Sequence, residues 1–167
     1  MKFPKEKLDF KGNQNYRSTF MPKGNLLIVD DEPLLLKSLK ANLEEYADNI
    51  FIAENGIEAM DIVGKEEVHC IICDINMPQM NGVEVIKRIR EMGNDVPFIF
   101  YTGHGNRDLM FEAIKYGAFD FLDKPLFSGL EEVIAQGMKN GFNKGRDAIE
   151  DEKEIMSEYK RLLKELE

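Results

Sequence analysis

The sequence predicts an α/β protein, a doubly wound parallel sheet in which five strands alternate with five helices. Three observations predict it. Between positions 26 and 138, short β-branched runs alternate with stretches whose apolar residues recur every three or four positions, the pattern of a parallel sheet covered by helices. The third run closes on Cys70-Ile71-Ile72-Cys73, four apolar residues without interruption, as a central strand buried on both faces requires. The polar residues with chemical capability follow the strand ends, where the ligand sites of such sheets form.

The first strand is Leu26-Leu27-Ile28-Val29. Pro33 suits the opening turn of a helix whose inward stripe is Leu36, Leu39, Leu43 and Tyr46. Positions 50–53 form the second strand, and Asn55-Gly56 turns the chain into a helix marked by Ile57, Met60 and Val63. The third strand covers 68–73. The third helix spans about 83–92, with Val85, Ile86 and Ile89 inward. The fourth strand is 97–101 and the fourth helix 107–116. The fifth strand is 118–122, and the helix after it carries Leu130, Val133, Ile134 and Met138 as its core stripe.

With 167 residues, the chain has material for one domain with a real core plus tails. Its formal charge of −9 disfavours direct DNA binding by the chain alone. Cys70 and Cys73 lie at an odd spacing within one strand, so they point to opposite faces and read as buried apolar thiols, not as a disulfide or metal pair. Positions 1–23 show neither the apolar segment nor the cleavage site of an export signal. No apolar run approaches bilayer-spanning length, so the expectation is a soluble cytoplasmic protein with no membrane partner.

Asp30-Asp31 closes the first strand, Asp74 the third, Thr102 the fourth, and Lys124 follows the fifth. If the first and third strands are parallel neighbours, like charges about 4 Å apart repel by roughly 4 kcal/mol at an effective dielectric near 20. Such a cluster needs a cation. Hard oxygen ligands with room for water and a phosphate suit Mg²⁺.

Quoted in order, these segments are LLIVDDEP, IICDINMPQMNG, FIFYTGHG and AFDFLDKP. Over roughly positions 25–140 the chain thereby resembles the receiver domain of bacterial response regulators. The resemblance implies a flavodoxin-like sheet in the order 2-1-3-4-5, the order shared by flavodoxin and the chemotaxis receiver. It also implies that Asp74 is the phosphoacceptor and that Asp30, Asp31, Asp74 and the backbone carbonyl of Asn76 hold Mg²⁺. Thr102 and Lys124 would then bind the phosphoryl group, and Phe121 would be the switch aromatic. The resemblance alone favours a cis bond at Lys124-Pro125. The implied phosphodonor is a sensor histidine kinase or a histidine phosphotransfer protein, and the output surface is the fourth helix, fifth strand and fifth helix.

The chemistry agrees with these roles. A carboxylate nucleophile forms an acyl phosphate, and phosphoryl transfer asks mainly for positioning and charge neutralisation. Asn76 and His104 stand two residues beyond Asp74 and Thr102, where they would flank a water during phosphate loss; His104 reads either as a rate modulator or as a bystander. A magnesium-dependent hydrolase of the haloacid dehalogenase type would carry a second Asp two positions after the nucleophile. Asn76 occupies that place and cannot shuttle a proton, so turnover of an external substrate is not expected. A receiver kept only as a scaffold is a third reading, and the complete acidic, hydroxyl and ammonium set argues against it.

Outside the receiver at 24–140, positions 1–23 form a flexible extension; Phe3, Phe10, Tyr16 and Phe20 offer a partner-binding arm as the sharper alternative. Asn140-Gly141 and Lys144-Gly145 loosen the helical pattern before an extra C-terminal helix within 141–167. Its Ile149, Met156 and Leu163 repeat every seven residues, with Tyr159 and Leu166 between them and Glu152 interrupting the seam. That segment is either a short coiled coil that dimerises or relays a signal, or a helix folded back on the domain or simply exposed. A homodimer through 146–167 or through the output surface is therefore expected as one mode of association. The downstream partner is another protein, or the receiver is a fragment of a larger hybrid kinase or effector.

Overall fold

The computed structural model describes residues 23–103, 107–125 and 127–144. Five strands are present: β1 (Asn25–Val29), β2 (Asn49–Ala53), β3 (Cys70–Cys73), β4 (Phe98–Thr102) and β5 (Asp120–Asp123). Four helices alternate with them: α1 (Pro33–Leu43), α2 (Gly56–Lys65), α3 (Gly82–Glu91) and α4 (Arg107–Lys115). A fifth, α5, occupies the described residues 130–144. All strand pairs are parallel, in the order β2-β1-β3-β4-β5, which is the flavodoxin-like order implied by the resemblance.

Period-two alternation divides the apolar residues between two layers. Leu27, Val29, Ile71, Cys73, Phe98 and Phe100 face α2, α3 and α4, where Ala59, Val85, Ile86, Ile89 and Ala113 meet them. Leu26, Ile28, Cys70, Ile72, Ile99 and Tyr101 face α1 and α5, against Leu36, Leu39, Leu43, Leu130, Ile134 and Met138. The two cysteines are therefore on opposite faces and buried, and burial pushes the Cys70 thiol up to about 12.

Local chemistry fixes where the helices start. Asn81 and Glu84 form a reciprocal capping box on α3, satisfying backbone donors that a helix start leaves open. Asn55 caps α2 by accepting from the Glu58 N–H. At α1, Pro33 occupies the first turn, while the N-cap Glu32 makes no side-chain capping bond.

Several boundaries differ from the sequence expectation. The fifth strand starts at Asp120, not 118, because the Ala118 N–H bonds back to Ala113 and closes the end of α4. The third and fourth strands begin at Cys70 and Phe98, and Tyr46 falls in a separate 3-10 turn, Glu44–Tyr46. Ile57 does not face inward; it is 55% exposed. A Cβ on Gly56 would lie 2.8 Å from Met80 and Val85 atoms, so the glycine's face approaches α3 and the loop before it, and its neighbour turns outward.

The helix expected to loosen at Asn140-Gly141 continues through both. A side chain at Gly141 would meet the His69 carbonyl at 2.0 Å, so glycine here permits close approach and does not end the helix. Phe142 then stacks on the His69 ring at 4.4 Å, and His69 Nδ1 accepts from the Asn25 N–H at 3.1 Å. This clasp joins α5 to the sheet's lower edge. The partner-binding arm and the heptad seam lie outside the described residues. Among the described residues no helix is long and apolar enough to cross a membrane.

Truncating Ile72, 1% exposed, to Ala should destabilise the fold by about 2–5 kcal/mol. Ile57→Ala should stay within about 0.5 kcal/mol. Urea denaturation of both variants checks the contrast.

Candidate functional site

Strand register brings the acids together. Val29 pairs with Cys73, and the ladder runs one residue further, the Asp74 N–H donating to the Val29 carbonyl at 2.9 Å and the Asp30 N–H to that of Ala53 at 3.1 Å. Asp30 and Asp74 thus leave adjacent strands at the same level, and Asp31 follows at the exposed edge. One carboxylate oxygen from each lies within 4.8 Å of the others. Asp30 is 2% and Asp74 7% exposed, so water screens the cluster poorly.

Lys124 comes to these acids from the far side of the sheet. Its Nζ stands 2.5 Å from Asp30 Oδ2 and 3.2 Å from Asp74 Oδ2. It is also 3.5 Å from Glu32 Oε1. The Lys124 N–H donates to the Thr102 carbonyl at 3.0 Å, which fixes the backbone from which the side chain reaches, and the Lys124–Pro125 bond is cis. Below the ammonium, the Tyr101 ring centroid lies at 6.0 Å.

Burial raises the Asp30 carboxyl above its ordinary value, against the lowering pull of Lys124 and the Glu32 N–H. Burial alone would lower the Lys124 ammonium, yet the hydrogen bond and charge of Asp30, with Asp74 adding to them, leave it raised. One ammonium therefore serves several carboxylates. Asp30, Asp31 and Asp74 supply only oxygen donors, a set suited to a hard divalent cation.

Thr102 is 3% exposed, and its Oγ1 has no hydrogen-bond partner among the described residues. Phe121 is half-buried and stacks on Phe100 at 5.3 Å. Asn76 is exposed in the loop that follows Asp74, whereas His104 lies outside the described residues. That loop is braced by Gly82, whose N–H donates to the Ile75 carbonyl at 2.9 Å; a Cβ on Gly82 would stand 2.2 Å from the Asp74 carbonyl oxygen. Glu32 was absent from the sequence-derived set. Its signal is faint: a long acid at the N-cap of α1, where a shorter side chain would have capped the helix.

A family model described as the response regulator receiver domain matches residues 26–135. The chain belongs to this family. The receiver is 35% identical to a chemotaxis protein CheY homolog of Campylobacter jejuni over 125 residues, 70% of this chain and 96% of that one. It is 31% identical to the transcriptional regulatory protein ZraR of Klebsiella oxytoca over 115 residues, 68% of this chain but only 26% of the relative's length. Among solved structures, a response regulator receiver domain protein from Clostridium thermocellum superposes with a TM-score of 0.64 at 26% identity, covering 74% of this chain and 97% of that one.

Two outcomes follow from the geometry. Lys124 has a folded value above its unfolded 10.5, so the stability its pairing contributes is complete below that pH and lost as pH climbs through the folded value. Unfolding midpoints measured from about pH 9 to about pH 12 should fall in the wild type and fall less in Lys124→Met. Gly82→Ala, facing a backbone carbonyl that cannot yield, should cost about 1–3 kcal/mol in denaturant unfolding.

Proposed function

We infer that this receiver is a phosphorylation-activated switch that takes a phosphoryl group on Asp74 from a histidine kinase or a histidine phosphotransfer protein. The observation that carries this reading is the approach of Lys124 Nζ to both Asp30 and Asp74, at 2.5 and 3.2 Å, beside a third carboxylate on Asp31. An Asp74 carboxylate oxygen attacks phosphorus in line; the phosphorus–nitrogen bond of the phosphohistidine breaks, and its electron pair stays on the imidazole. Asp30, Asp31, Asp74 and the backbone carbonyl of Asn76 would hold Mg²⁺. When bound, the ion supplies the charge neutralisation that lets a phosphoryl anion enter an acidic pocket.

Lys124, held on a flexible stem, moves with the new oxygens and neutralises them. Thr102 donates a hydrogen bond from its hydroxyl to the phosphoryl group, a role supported by its buried Oγ1, which has no partner among the described residues. Its inward movement leaves space for Phe121, which changes the α4–β5–α5 face. Asn76 and His104 modulate phosphate loss by orienting or obstructing water.

Positions 24–140 form the receiver between the extensions 1–23 and 141–167, and α5 continues into the second of these through 144. Output passes to a partner protein in the cytoplasm or to a second copy, either through 146–167 or through the α4–β5–α5 face. The 65% exposed Phe111 and 57% exposed Ile114 on α4 favour the latter surface. No turnover of external phosphoesters is expected, since an amide occupies position 76.

Incubation with Mg²⁺ and acetyl phosphate, followed by intact mass, tests this reading. The wild type should gain one phosphoryl group, and both Asp74→Asn and chelation of the metal should abolish the gain. Multiple turnover of a phosphoester, or a gain that survives Asp74→Asn, would refute it.

A further inference from the structure

A lysine ammonium has three N–H donors, and Lys124 Nζ meets three different carboxylates: Asp30 at 2.5 Å, Asp74 at 3.2 Å and Glu32 at 3.5 Å. Its donors are therefore matched in the resting state. To bond a phosphoryl oxygen, the ammonium must release one of them. The longest contact belongs to Glu32, whose side chain is 66% exposed.

Glu32 is built for this contact. Its N–H donates to Asp30 Oδ1 at 2.9 Å, tying its backbone to the same carboxylate that holds Lys124. It stands at the N-cap of α1 without capping; an Asp there would fold back onto the helix N–H groups. The extra methylene instead lets the carboxylate reach across the pocket mouth to Lys124.

We propose that Glu32 is a positioning residue that holds the third donor of Lys124 in the resting state, and that its release hands Lys124 to the phosphoryl group on Asp74. The proposal rests on the receiver reading above. Glu32 stabilises the resting arrangement and sets a negative charge beside the incoming anion, so it restrains phosphoryl acceptance. Tyr101, with its ring below the ammonium, keeps Lys124 at the pocket mouth once Glu32 lets go.

The test uses the full chain with Mg²⁺ and acetyl phosphate, following the rate of mass gain in wild type, Glu32→Ala and Glu32→Asp. Because Glu32 makes no cap, Glu32→Ala forfeits none. Both variants should accept phosphoryl faster by roughly two- to fivefold, the range of one partly exposed ion pair. Wild-type rates in Glu32→Ala would overturn the proposal. So would a wild-type rate in Glu32→Asp beside an accelerated Glu32→Ala, since charge without contact would then suffice. The resting contact has its own readout in the Lys124 ammonium resonance, recorded without phosphodonor, which should shift in both variants. A wild type that gains no mass overturns the receiver reading alone; an unmoved ammonium resonance overturns the Glu32 contact alone.

Discussion

The parallel register between β1 and β3 is the constraint on which the site depends. Once Val29 is paired with Cys73, Asp30 and Asp74 must emerge side by side. At separations near 4 Å and an effective dielectric near 20, each pair of charges repels by about 4 kcal/mol. That cost is tolerable because the core around it is dense and specific. Leu27, Ile28, Ile71 and Ile72 are at most 1% exposed, and a one-residue slip would exchange their two faces. The acids are held together by hydrocarbon beneath them, and Lys124 answers part of their charge from above.

Around this centre, the loops are placed by small-scale sterics. Gly82 lets α3 begin against the Asp74 carbonyl, and Gly56 lets α2 close over Met80 and Val85. Both glycines serve proximity. The segment carrying Asn76 is consequently confined between a strand end and a capped helix start, as positioning chemistry requires.

Much of this was legible from residue order. The continuous apolar run at 70–73 announced a central strand, and acids at the ends of the first and third strands announced their meeting place. Phase was harder to read. Ile57 has the residue type of a core position, yet the approach of Gly56 sets the rotation of α2 and leaves Ile57 outside. Gly141 read as a helix breaker because composition cannot reveal that a neighbouring carbonyl needs its missing side chain. Glu32 escaped notice for a related reason. An exposed acid beside two other acids carries no distinctive sequence signal, and its reach to Lys124 exists only once β5 lies across β4 from β1 and β3.

The clasp of His69 and Phe142 gives the molecule a mechanical polarity. His69 leads directly into β3, and Asp74 directly follows it, so five residue steps, about 16 Å of extended chain, separate the ring that seats the end of α5 from the acid at the opposite pole. Through Phe142, α5 is moored to the keel of one strand while the charge chemistry rides at its prow. A displacement of β3 along its own axis would be felt at both ends at once, without crossing a flexible joint.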